Sequence, residues 1–287
     1  MSSSVASHST PQTALDWGLI GRQITGILRM EVKRQLVSRR ALSLYFLAFA
    51  PPLIMALWAM SPIPKKIGLT GPVDILDTFS FFYFGYLTTS IFLSALVMFM
   101  SLFRDEILEK SLHYYFLAPI RREVLVAGKF LSALVACAGT FMIGTAALYV
   151  FAMSPWGLGP LSRHLFSGPG LGHVFAYMGI SVLACLGYGA LFQLAGQLFK
   201  NPVVIAVAIG GWEFLNPFLP SFLKKLSVIF YLKSMFPIPV TEGPFTILAE
   251  PTPAWISIPG LLIFTALVLA AAGWRARAME IHYGADD

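Results

Sequence analysis

Apolar residues arrive along this chain in long uncharged blocks, separated by short polar and charged intervals. A helix needs about 20 predominantly apolar residues, rising 1.5 Å each, to cross roughly 30 Å of hydrocarbon. Six blocks meet or approach that length: Ala41 to Met60, Phe79 to Phe103, Val124 to Phe151, Val174 to Phe199, Pro202 to Leu219 and Trp255 to Ala272. Short core helices and alternating strands do not produce such runs. The pattern predicts an all-α polytopic membrane protein with six transmembrane helices. Pro51 and Pro52 interrupt the first block, which a membrane helix tolerates when neighbours satisfy the freed carbonyls.

The intervals carry their own patterns. Residues 1–15 are polar and Ser-rich and read as a disordered tail; no cleavable signal precedes Ala41, so the first span reads as an uncleaved anchor. Over 16–40, a wheel at 100° per residue gathers Ile20, Ile24, Ile27, Leu28 and Val32 on one side and Arg22, Arg29, Lys33 and Arg40 on the other. That is an N-terminal amphipathic helix suited to the bilayer surface, although a basic helix of this kind also suits a protein partner. Between the second and third spans, residues 104–119 form a second amphipathic pattern. Leu108, Leu112, Tyr115 and Phe116 share one face and Glu106, Glu109, Lys110 and His113 another, until Pro119 ends the helix. The Gly- and Pro-rich connection Ser154 to Gly172 reads as an irregular loop. Residues 222–236 are apolar but interrupted by Lys224, Lys225 and Lys233, which favours an outer re-entrant segment, within 221–250, over a further span. Residues 41–274 then form one six-span domain, followed by a tail at 275–287.

Composition agrees: 57% of the 287 residues are hydrophobic and 12% charged, against about 25% charged in ordinary soluble domains. The formal charge of +6 does not indicate nucleic acid, because Lys and Arg collect at span ends. With the N-terminus inside, the cytoplasmic side receives Arg22 through Arg40, Arg104, Lys110, Arg121, Arg122, Lys129, Lys200, Arg275 and Arg277, while Lys65, Lys66, Arg163, Lys224, Lys225 and Lys233 stay outside. The bias places both termini in the cytoplasm, in the cell (inner, cytoplasmic) membrane. Cys137 and Cys185, both in apolar stretches, provide neither a disulfide framework nor a metal site, and read as small buried hydrophobes.

The run from Arg104 through Glu123, followed by Val124 to Lys129, resembles the cytoplasmic coupling segment of type 2 ATP-binding cassette (ABC) permeases. In that family an acidic start, a short Leu-rich helix, a Pro and an Arg precede the third span; Asp105, Glu106, Leu108, Leu112, Leu117, Pro119, Arg121 and Lys129 stand at the matching places. Trp212 to Leu215, Leu219-Pro220, Leu226-Ser227 and Tyr231-Leu232 are similar to the fifth-span exit and outer re-entrant region of some of these permeases. Lys110-Ser111 departs from the Gly-Thr of many relatives. The resemblance implies an exporter subunit that dimerises with a second permease copy, in a homodimer or heterodimer, leaves a pathway between the two copies, and is driven by a separate ABC ATPase subunit. Asp105, Glu106, Leu108, Glu109, Leu112, Phe116, Pro119 and Arg121 would then couple to that ATPase, with apolar side chains in a groove and carboxylates on basic groups. A solvated loop joining two spans is the plainer alternative. No phosphate-binding loop occurs in the chain, and Gly128-Lys129-Phe130 lacks the upstream Gly and the hydroxyl it requires. ATP and magnesium are therefore expected on the partner, with no cofactor on this chain.

Glu213 is the only formally charged residue deep within a predicted span, and the amides Gln193 and Gln197 lie in another. Glu213 either lines a pathway, pairs with a lysine or caps the adjoining turn through backbone hydrogen bonds. Gln193 and Gln197, four apart on the fourth span, share a face and suit either an inner cavity or interhelical hydrogen bonds. Gly139, Gly144, Gly187, Gly189 and Gly196 read as helix-packing positions. An embedded enzyme would need a metal-binding H-E-x-x-H, a pair of intramembrane Asp residues or a Ser and His pair, and none is evident. A secondary transporter or a membrane anchor for a partner complex remains the alternative function.

Overall fold

The computed structural model describes residues 17–66, 68, 71–108, 122–199, 202–240 and 252–277. All regular structure among them is helical. The principal helices are α1 (Trp17–Val37), α2 (Arg39–Met60), α3 (Pro72–Gly85, continued by Tyr86–Ile91 and Phe92–Leu108), α4 (Arg122–Met153), α5 (Leu158–Ser167), α6 (Gly170–Leu198), α7 (Pro202–Leu215), α8 (Val228–Ser234) and α9 (Ala254–Arg277). Five of these, α2, α3, α4, α6 and α9, are long and apolar enough to cross a membrane. The chain is a multi-pass helical membrane protein. The fifth predicted span is shorter: α7 has 14 residues, about 21 Å at 1.5 Å per residue.

Helix α4 is the hub, packed against α1, α2, α3, α6 and α9, and α3 lies along α6. Aromatic rings fill the core between them, with Phe79 edge-on to both Tyr149 and Tyr177 at 4.9 and 4.8 Å, and Phe92 edge-on to Tyr188 and Phe192. A hydroxyl chain runs across the same helices: Tyr83 bonds Ser181 at 2.8 Å, Ser181 bonds Thr145 at 2.8 Å, and Ser80 bonds Tyr177 at 2.9 Å. Each of these hydroxyls thus finds a partner in a setting that offers no water. Cys137 and Cys185 are fully buried with their sulfurs 3.7 Å apart.

The Pro51-Pro52 break is repaired from a neighbouring helix. Neither proline can donate an N–H to the carbonyl four residues earlier, and Pro52 thereby frees that of Ala48. The Tyr86 hydroxyl donates to this oxygen at 2.9 Å, from the π turn Tyr86–Ile91 of α3. Gly144 of α4 makes room: a Cβ there would collide with the Tyr86 hydroxyl and lie 2.7 Å from the Ala48 carbonyl. Tyr86→Phe is expected to cost about 1–3 kcal/mol by stranding the Ala48 carbonyl. The check is the melting temperature of the detergent-purified variant; a value equal to wild type would mean that this bond contributes nothing.

Several expectations are revised. The connection 154–172 is not an irregular loop: Leu158–Ser167 is helical, with Leu161 buried beneath it. Leu158, Leu161 and Leu165 recur at helical spacing, and Pro160 falls in the first turn, where a proline is tolerated. Gly157, at φ +90°, supplies the left-handed residue that separates α5 from the turn before it. The predicted amphipathic helix over 16–40 breaks at Ser38, which is extended, so Arg40 belongs to α2. Among the packing glycines, Gly189 faces the Phe99 ring and Gly196 the Met100 backbone, with Cβ positions at 2.7 and 2.5 Å, while Gly139 has nothing within 4 Å. The 1–15 tail, most of 104–121 and the end of the C-terminal tail lie outside the described residues.

Candidate functional site

The bundle end that bears the predicted coupling segment is tied together by polar contacts from several spans. Helix α3 ends in Asp105, Glu106 and Leu108; Glu109, Leu112, Phe116, Pro119 and Arg121 lie outside the described residues. Both flanks of that segment are anchored. On one side Arg104 donates to the Phe199 carbonyl at the end of α6, at 3.4 Å. On the other, Arg122 donates to the carbonyls of Ala276 and Arg277 at 3.3 and 2.9 Å, satisfying carbonyls that the last turn of α9 leaves open. Glu123 adds an ion pair with Arg277. The ends of α3, α6 and α9 and the start of α4 therefore form one rim.

Helix α1 docks on the same rim. Its apolar stripe meets protein rather than lipid alone: Ile27 packs on Gly128 of α4, where a Cβ would stand 3.0 Å from it. One turn on, Glu31 is buried and lies 3.6 Å from the ammonium of Lys129, itself 2% exposed, and 3.6 Å from Arg34. Glu213 is thus not the only charged residue buried in a span. Arg22, Arg29 and Lys33 on the other face of α1 are exposed, as is Arg40 at the start of α2.

Gln193 and Gln197 are both buried near this end of α6. Gln193 donates to the Val126 carbonyl of α4 at 3.1 Å, an interhelical bond. The Gln197 amide has neither donor nor acceptor satisfied. The Gln193 side-chain oxygen is likewise unbonded, and a buried polar group left open costs about 1–3 kcal/mol.

Glu213 has a different setting. One carboxylate oxygen accepts from the Val228 N–H at 3.0 Å; the other accepts from the Ile229 N–H at 3.0 Å, the Ser227 hydroxyl at 2.6 Å and the Tyr188 hydroxyl at 3.3 Å. Apart from Tyr188 of α6, its partners are the first N–H groups of α8 and the residue that precedes them, so the carboxylate caps that helix and complements its dipole. Asn216 adds a bond to the Lys224 carbonyl at 3.2 Å, closing the turn between α7 and α8. Over Gly187 of α6, Val228 and Leu261 converge, while Ser234 at the far end of α8 bonds Ser257 at 2.9 Å. Helix α8 thus lies antiparallel to α9, with its start inside the bundle.

The coupling carboxylates, Glu213 and the two glutamines are not one site. Glu213 belongs to the α7–α8 turn, and the glutamines to the rim. Sequence reasoning missed Glu31. Its signal was its place one turn after Ile27, a carboxylate on the apolar side of the wheel. Among the described residues no three His, Cys, Asp or Glu side chains gather closely enough to hold a metal ion. No family model matches the chain, and no curated protein matches it.

Proposed function

We propose that the chain is the membrane-spanning permease subunit of an ABC exporter, forming the pathway as a dimer and driven by separate ATP-hydrolysing subunits. The observation that carries the reading is the rim. The segment that resembles a coupling helix is flanked by Arg104, Arg122 and Glu123, which lock it to α6 and α9. A push on that segment is thereby delivered to four spans together, as force transmission from a soluble motor requires.

The reading includes six crossings. The ends of α6 and α9 share the rim and α9 begins at the opposite end, which supports one further crossing by the chain between 199 and 254. Helix α7 with the 3₁₀ turn Asn216–Phe218 reaches about 27 Å at 1.5 and 2.0 Å per residue, close to the thickness of a thin bilayer. The turn capped by Glu213 then dips back as the outer re-entrant segment. Both termini are cytoplasmic in the cell membrane on the distribution of Lys and Arg. Exposed apolar residues such as Phe46 and Leu53 on α2 and Val207 and Phe214 on α7 leave surface for lipid and for the second copy.

Leu112→Asp tests coupling. The variant is expected to insert and melt as wild type does, yet to lose its ATPase partner and substrate efflux. Retained partner and retained efflux would remove residues 104–119 from the coupling role.

A further inference from the structure

At the end of α4 remote from the rim, three polar side chains from three helices converge. Tyr149 of α4 stands with its hydroxyl 3.0 Å from Nε2 of His164 on α5. The His164 and His173 rings, the latter on α6, lie 6.2 Å apart between centres. Nδ1 of His173 is buried and has no hydrogen-bond partner. The Trp156 ring packs 5.6 Å from His164, and the turn at Gly168 and Gly170 closes over it so tightly that a Cβ at either position would lie within 2.8 Å of the His164 carbonyl. The imidazole is thus held from several sides while a second imidazole nitrogen beside it goes unused.

We infer that Tyr149, His164 and His173 form a binding site for a divalent first-row transition ion, with copper favoured over zinc. The inference is independent of the transport reading. An imidazole bound at about 2.1 Å places its ring centre roughly 3.2 Å from the metal, so two on one ion stand at most about 6.4 Å apart. The observed 6.2 Å falls inside that limit and corresponds to two imidazoles on nearly opposite sides of one ion. The 3.0 Å between the phenol oxygen and Nε2 is a spacing that two adjacent ligands on one ion adopt. Nitrogen donors select transition ions over magnesium and calcium, and a mixed nitrogen and oxygen set suits copper(II) best. On binding, the Tyr149 O–H bond breaks, its proton passes to solvent, a metal–oxygen bond forms, and no oxidation state changes. Water completes the shell. The bound ion would staple α5 to the ends of α4 and α6.

The test uses the full chain, purified without a polyhistidine tag and reconstituted in lipid nanodiscs. It is titrated with Cu²⁺ by calorimetry and read by electron paramagnetic resonance. The expected result is one saturable ion per chain, with hyperfine splitting from two imidazole nitrogens. His164→Asn and His173→Asn should each weaken binding at least about tenfold, Tyr149→Phe less, and His113→Asn not at all. The wild-type spectrum decides the question even if a variant fails to fold: splitting from a single nitrogen, or no saturable binding, overturns the site. Unchanged affinity in folded His173→Asn overturns it equally.

Discussion

Replacing Glu213 by alanine is expected to destabilise the detergent-purified chain by about 3–5 kcal/mol, the range for stripping a partner from a buried charged network. The carboxylate accepts from Val228, Ile229, Ser227 and Tyr188. Its removal strands two backbone donors of α8 where no water replaces it. Glu213→Gln should fall between wild type and the alanine variant, since one amide oxygen still accepts while the NH₂ faces donors. Limited proteolysis supplies a local readout: the alanine variant should become cleavable between Leu219 and Phe236 before the rest of the bundle opens. A variant that melts with wild type and resists cleavage there would contradict the capping role.

The second large effect is expected at Lys129. Lys129→Met leaves Glu31 buried beside an apolar side chain with the exposed Arg34 still 3.6 Å away, and breaking a buried pair in this way costs up to about 3–5 kcal/mol. The double replacement Glu31→Leu with Lys129→Met removes both charges and should recover most of the loss, because an apolar pair of similar volume is often neutral or better. A double-mutant cycle on melting temperature measures the coupling. The same pair holds α1 on α4 beside the Ile27–Gly128 contact, so the single variant should also free α1, seen as faster amide exchange over 24–33. Additive effects of the two replacements would mean that the pair does not hold α1.

The five long spans were legible because nothing but a bilayer explains uncharged runs of that length. Their ends were not. Apolar blocks stop at the first polar residues, whereas helices continue through them: α3 begins at Pro72 and includes Asp74 and Asp77, and α6 begins at Gly170, ahead of His173. Glu213 stood out as a charge in an apolar run, yet its partners lie 14 to 25 residues away in sequence and only the tertiary fold chooses among lining, pairing and capping. The Glu31–Lys129 pair was harder, since each residue alone looks like part of a charged interfacial interval. Helix α5 was hidden by the glycines and prolines at its margins, which outweighed the leucine spacing within it. The proline break shows the opposite case. The need for a donor to a freed carbonyl followed from Pro51-Pro52 alone, and the structure identifies it as Tyr86.

The central claim is that this chain is driven by a separate ATPase, and a mild-detergent pull-down of the tagged chain from its native membranes, with mass spectrometry and an ATP hydrolysis assay, tests it most directly. The account predicts a stoichiometric ATPase in the eluate, hydrolysis that depends on it, and loss of both in Leu112→Asp. A folded chain recovered with no ATPase would contradict the account and shift the weight to a secondary transporter or a membrane anchor.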